Sequence, residues 1–257
     1  MRKAPPAAIL LFVLVLASTL AHTAAATAQE LHAYVGAGLR PPVEALITAF
    51  QAETGIAVRA EYGGSGQLLA RFAESGKGDL FLPGSTFYAD KLREREEVAF
   101  SRVLVAHGPV IAVAPDKAGT IRSLADLGRP GIRVGLGDPV AMALGRTAEQ
   151  ILDRSGLGES IRRNVVVRAA TVKQLALYLL DGNIDAAILG ASEIAQSAGQ
   201  LVAVSIPPEW YDAEYAPVVV LRTTTEPEAA RRFADFLASD AGLATFARFG
   251  FPPVRAE

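Results

Sequence analysis

The chain has no cysteine, three histidines, one tryptophan and two methionines among its 257 residues. Absent cysteine excludes a disulfide framework, a thiolate zinc or iron–sulfur site and a cysteine nucleophile. So few histidines leave little for a histidine-rich metal centre. The formal charge is only −2, from 25 basic and 27 acidic side chains. That balance lacks the basic excess that drives nucleic-acid binding, so no nucleic-acid partner is expected. What the sequence does hold is apolar residues, 51% of the total, too many for a disordered chain. The length allows one large domain or two moderate ones around a sizeable core.

The longest apolar run lies at the N-terminus. Arg2 and Lys3 precede a run over residues 7–20, and small residues follow, ending Ala26-Thr27-Ala28. These are the parts of a secretory signal peptide, expected over residues 1–28. The run is short for a bilayer span of roughly 20 residues, and a retained membrane anchor is the alternative reading. Cleavage after Ala28 removes two basic residues and no acidic one, taking the net charge from −2 to −4. No cysteine follows the run to carry a lipid. The expectation is a soluble protein exported to the periplasm, and the lack of cysteine fits an oxidising compartment.

Beyond that segment, short β-like runs alternate with helical patterns. The runs cover 31–35, 56–62, 79–82, 110–114, 132–136, 165–168, 186–189, 201–206 and 218–222. Val43, Leu46, Ile47 and Phe50 follow i, i+3, i+4, i+7 spacing, one face of a helix. Leu144, Ala148, Ile151 and Leu152 repeat it, as do Val172, Leu175, Ala176 and Leu179. Phe233, Phe236, Leu237 and Phe246 mark a helical C-terminus. Strand–helix alternation predicts an α/β fold with largely parallel sheets. Nine strands suggest two sheets and two lobes, with crossings near residues 106–109 and 215–217. No internal repeat, low-complexity tract or long linker interrupts the pattern.

The polar chemistry sits in what precedes the helices. Four of them open from small or polar turns at strand ends. These are Gly36-Ala37-Gly38-Leu39-Arg40-Pro41, Gly63-Gly64-Ser65-Gly66-Gln67, Gly137-Asp138-Pro139 and Ala169-Ala170-Thr171-Val172. A helix N-terminus leaves backbone N–H groups unpaired and carries partial positive charge. Several aimed at one cleft would hold an anion with neutral donors and no lysine. Each turn also has a plain reading, because Ser65, Asp138 and Thr171 suit N-caps and glycine suits tight turns. Convergence separates the two readings, and sequence spacing does not show it. Asp138 repels an anion and is assigned to capping.

Rival motifs are weaker. Gly135-Leu136-Gly137 opens like a dinucleotide fingerprint, but its third glycine position holds Val140. The second turn resembles a nucleophile elbow that ends in Gln67 where glycine belongs. An exported serine hydrolase would use Ser65 with His32 or His107, the two histidines outside the signal segment. Residues 93–97 alternate in charge as a solvated helix face does. Trp210, Tyr211 and Tyr215 suit packing between lobes, and Tyr62 and Tyr88 suit a core or a rim.

The ordered set of turns resembles the periplasmic solute-binding proteins for molybdate and tungstate. It comprises Gly36-Ala37-Gly38-Leu39, Gly63-Gly64-Ser65-Gly66, Gly76-Lys77-Gly78-Asp79-Leu80-Phe81, Gly137-Asp138-Pro139 and Gly182-Asn183-Ile184-Asp185-Ala186-Ala187. Tyr215-Ala216-Pro217-Val218 and Phe249-Gly250-Phe251 complete it. The resemblance implies a two-lobed periplasmic binding protein fold, each lobe a mostly parallel sheet flanked by helices, joined by a two-segment hinge. Lobe 1 would take residues 29–107 and 217–257, and lobe 2 residues 108–216. It further implies closure on a tetrahedral oxyanion, no enzymatic activity and no cofactor. Delivery to an ABC-type membrane permease and a monomeric state follow from the same resemblance.

Carried over residue by residue, the resemblance puts the ligand against Gly38, Leu39 and Arg40 at the first turn. Gly64, Ser65 and Gly66 contribute at the second, Met142, Ala143 and Leu144 at the third, Thr171 and Val172 at the fourth. Leu189 ends the list. Ser65 would donate its hydroxyl, and Leu144 and Val172 their amides. Many relatives have a serine where this chain has Gly38, and some have a tyrosine where it has Leu189. Two hydroxyl donors are therefore missing, each net hydrogen bond being worth about 0.5–1.5 kcal/mol. Arg40 either replaces them by charge pairing or points to solvent, and Arg146 and Ser85 are weaker candidates. Sulfate, a phosphonate or a carboxylate is the alternative ligand. A sensory rather than transport role uses the same closed-lobe surface.

Overall fold

The computed structural model describes residues 30–254, and the expected signal peptide over 1–28 lies outside the described residues. The first sheet is built from β1 (Glu30–Gly36), β2 (Ala57–Gly63), β3 (Leu80–Leu82), β4 (Val98–His107) and β10 (Glu214–Leu221), in the order β2-β1-β3-β10-β4. The second takes β5 (Pro109–Val113), β6 (Val134–Gly137), β7 (Val165–Ala169), β8 (Ala186–Gly190) and β9 (Val202–Ser205), in the order β7-β6-β8-β5-β9. In each sheet one strand is reversed: β10 pairs antiparallel with β3 and β4, and β5 with β8 and β9. The other four strands share a direction, so each mixed sheet is mostly parallel, as expected.

Helices cover the faces: α1 (Arg40–Thr54), α2 (Ser65–Ser75), α3 (Thr86–Glu94), α8 (Pro227–Leu237) and α9 (Asp240–Arg248) against the first sheet. The second carries α4 (Ala143–Ser155), α5 (Gly158–Arg162), α6 (Val172–Leu180) and α7 (Ala191–Gln196). The helical stripes read from sequence face inward. Phe50, Phe233 and Phe246 are buried beneath the first sheet, with Phe50 and Phe233 rings 4.9 Å apart. Ala148, Ile151 and Leu152 of α4 pack with Ile111, Leu136 and Ile188 of the second. Each such buried Phe, Leu or Ile side chain contributes about 1.5–3 kcal/mol by removal from water. Trp210 and Tyr211 pack against this second cluster. Among the described residues no helix is long and apolar enough to cross a membrane.

Two sequence expectations need correction. β4 was not expected as a strand, because it lies at the sheet edge with much of its length exposed. Ser101 and Arg102 interrupt its apolar residues, so no single long run marks it as buried parallel strands are marked. The second crossing does not fall at residues 215–217. It precedes Glu214, and Pro217 sits inside β10 at a shift of register between Ala216 and Pro217. A bulge is where a strand accommodates proline, which has no N–H for the ladder. The first sheet therefore claims residues 214–216, which the sequence reading gave to lobe 2. Gly108 lies between β4 of the first sheet and β5 of the second.

Asp185 fixes the start of β8. Its carboxylate accepts from the Arg133 amide at 2.8 Å and from the Arg133 guanidinium at 2.8 Å. Burial pushes the carboxyl up, but these bonds and the charges of Arg133 and Lys117 outweigh it and hold it below the usual range. Asp185→Asn is expected to cost about 1–3 kcal/mol, read as a lower urea midpoint. A carboxyl lowered by folding loses its stabilising effect as pH falls through its folded value. The difference between wild type and variant is therefore expected to shrink only under acid conditions.

Candidate functional site

The four turns read from sequence do converge. Between the two sheets lies a cavity of about 40 Å³, lined by Gly36–Leu39, Gly63–Ser65, Gly84, His107, Met142–Leu144, Thr171 and Val172. At about 10–15 Å³ for one water-sized sphere, it has room for roughly three or four such groups. That is the scale of a small tetrahedral anion.

The donors follow from the helix starts. Ala143 and Leu144 open α4, and Val172 and Lys173 open α6, so their amides have no carbonyl four residues back to bond. The α6 start is held by Thr171, whose hydroxyl accepts from the Gln174 amide at 3.2 Å. Ser65 is not a cap. Gly64 takes the N-cap position of α2, and Ser65 Oγ accepts from the Gly84 amide at 3.0 Å. With its lone pair engaged there, its O–H is left to donate elsewhere. Asp138 behaves as assigned: its carboxylate accepts from the Val140 and Ala141 amides, each at 2.8 Å. Among the described residues no lysine, arginine, aspartate or glutamate lines the cavity. Its positive potential comes from the N-termini of α2, α4 and α6, each equivalent to roughly half an elementary charge.

Nine of the twelve residues singled out from sequence line this cavity: Gly38, Leu39, Gly64, Ser65, Met142, Ala143, Leu144, Thr171 and Val172. Arg40, Gly66 and Leu189 do not. Arg40 lays its guanidinium over the Tyr62 ring at 4.3 Å and approaches Glu44 at 3.6 Å on the exposed face of α1. Gly66 points its amide at the Ala141 carbonyl, 2.9 Å away across the two lobes. Leu189 is fully buried among Leu175, Ala187 and other apolar residues of the second lobe. Of the weaker candidates, Ser85 caps α3 through the Phe87 amide and Arg146 stacks 3.4 Å over Phe87.

At the first turn, a side chain on Gly38 would need Val172 to shift by a few tenths of an ångström. A Cβ on Gly38 would stand 3.1 Å from Val172 Cγ2. Sequence reasoning missed the role of Gly36, Ala37, Gly63 and Gly84 as walls. It also weighed His107 only as a hydrolase base. Ser65 and His107 both line the cavity, but no hydrogen bond joins them among the described residues. His32 is elsewhere, 3.7 Å from Glu61.

Comparison with known proteins agrees with this geometry. Residues 31–252 match the family described as bacterial extracellular solute-binding protein. A Haemophilus influenzae relative described only as a binding protein is 41% identical over 228 residues, covering 89% of this chain and 93% of its own. The molybdate-binding protein ModA of Mycobacterium tuberculosis (strain H37Rv) is 25% identical over 229 residues, covering 87% and 85%. The solved periplasmic molybdate-binding protein of Azotobacter vinelandii superposes with a TM-score of 0.77 at 20% identity, covering 88% of this chain and all of that one. With its paired sheets, interlobe cavity and near full-length match, this chain belongs to the bacterial extracellular solute-binding protein family.

Proposed function

We propose that this protein captures a small tetrahedral oxyanion between its lobes in the periplasm and hands it to an ABC-type membrane permease. Molybdate or tungstate is the preferred cargo. The observation that carries the reading is one cavity of about 40 Å³ faced by three helix N-termini and the Ser65 hydroxyl, with no lysine, arginine, aspartate or glutamate among its described lining residues. Backbone dipoles stabilise a dianion there without a fixed counter-ion. Two relatives named for molybdate support that choice of anion. A cavity of about 40 Å³ suits a small anion better than a sugar phosphate or a peptide.

Binding with lobe closure, and no covalent step, is the mechanism. Ser65 acts as a donor rather than a nucleophile, and the protein is expected not to hydrolyse esters. The test is isothermal titration with molybdate, tungstate, sulfate and phosphate at neutral pH. Heat with molybdate or tungstate, exceeding that with sulfate, is the expected result. A preference for sulfate or phosphate would reassign the cargo, and no heat with any of the four would overturn the reading.

A further inference from the structure

His107 is the one titratable side chain among the described residues of the cavity wall. It ends β4, one residue before the chain crosses to the second lobe, and is almost wholly buried. Its ring stands edge-on to Phe251, with centroids 5.6 Å apart. The space it fills is reserved by Gly190 at the end of β8. A Cβ on Gly190 would lie 2.5 Å from His107 Cε1 and 3.1 Å from Nδ1. Neither ring nitrogen has a hydrogen-bond partner among the described residues. A buried imidazole normally satisfies both nitrogens. This one faces a cavity already assigned to an anion.

Resting on the anion reading above, we propose that His107 is a ligand-binding residue whose imidazole takes up a proton as the anion enters, so that capture is linked to pH. The proton comes from solvent, and the resulting imidazolium donates an N–H to an anion oxygen. Burial alone pushes the empty-site imidazole down to about 4, so it is neutral at physiological pH before binding. A dianion at contact distance favours the charged ring and raises that value. The charged side chains on the surrounding elements do not substitute for the ligand. Glu193 on α7 is paired with Lys173 Nζ of α6 at 2.9 Å, and Glu214 on β10 is bonded to Thr147 of α4 at 3.3 Å. Arg146 of α4 is stacked on Phe87. None of them shifts His107.

The sign follows from linkage. Between the empty-site value and the higher liganded one, affinity is expected to rise as pH falls, by up to about tenfold per pH unit. Molybdate and sulfate stay fully deprotonated between about pH 6 and 8, so any proton taken up there belongs to the protein.

The experiment is titration of the intact mature protein with sodium molybdate at pH 6.5 in PIPES and in imidazole buffer, which differ widely in ionisation enthalpy. The expected result is a buffer-dependent heat corresponding to net proton uptake. In His107→Gln that dependence is expected to vanish and the affinity to become flat with pH. Gly190→Ala, which pushes the ring from its place, is expected to weaken the linkage. Heat that is identical in both wild-type buffers overturns this inference alone. Proton uptake that persists in folded His107→Gln does the same. No heat with molybdate, tungstate, sulfate or phosphate overturns the anion reading and takes this inference with it.

Discussion

Gly66→Ala is expected to leave both lobes folded and to weaken anion binding by about 100-fold or more, equivalent to about 2.7 kcal/mol. A Cβ at Gly66 would lie 2.0 Å from the Val140 carbonyl oxygen, on the opposite lobe. Gly64 is equally tight, with Ala141 and Ala170 carbonyl oxygens at 2.4 and 2.5 Å. Backbone atoms cannot rotate aside as side chains do, so the lobes must separate. That separation breaks the bond from the Gly66 amide to the Ala141 carbonyl and pulls α4 and α6 away from Ser65. Alanine is the better helix former by about 1 kcal/mol, so the α2 turn itself gains from the change. The measurement pairs titration calorimetry with small-angle scattering. Wild type is expected to contract on ligand addition, whereas the variant binds weakly and keeps its radius. Unchanged affinity in the variant would mean that the glycine contact plays no part in the closed, bound form.

The second large effect is expected from Val172→Pro. Val172 is the first residue of α6, and proline is well tolerated at that position because the amide it lacks has no partner within the helix. The preceding Thr171 already has φ −141° and ψ 153°, the extended backbone that proline requires before it. The substitution therefore removes one N–H from the cavity while leaving the helix and its Thr171 cap in place. A hydrogen bond to a charged partner is worth about 1.5–3 kcal/mol, so the expected loss is roughly 10- to 150-fold in affinity. The melting temperature of the ligand-free protein is expected to change little. Val172→Ala, which keeps the amide but trims the side chain, separates the donor from its packing. Equal losses in both variants would point to packing rather than to the amide.

Much of this site was legible in the sequence because a helix start after a strand announces itself locally. Gly63-Gly64-Ser65-Gly66, Gly137-Asp138-Pro139 and Ala170-Thr171-Val172 stand out as turns; the first and last border one cavity themselves, and the second leads into the α4 start at Met142–Leu144, which borders it too. Their convergence was not legible, because it depends on how two sheets are set against each other. Gly66 shows the cost of local reading: it looked like an anion-binding turn, yet its missing side chain makes room for the other lobe. Arg40 looked like a compensating charge until the Tyr62 ring, from a different strand, drew it away. His107 gave no signal beyond being a histidine. What gives it a role is Gly190, 83 positions further along the chain and beside it only in the fold. β4 was hidden because Ser101 and Arg102 split its apolar residues into two short blocks, 98–100 and 103–106.

The most direct test is a crystal structure with molybdate, located by molybdenum anomalous scattering. One tetrahedral anion is expected in the interlobe cavity, with oxygens about 2.7–3.2 Å from Ser65 Oγ and from amide nitrogens at the starts of α4 and α6. An anion held instead by exposed guanidinium groups such as Arg40, with the cavity empty, would contradict capture by backbone dipoles.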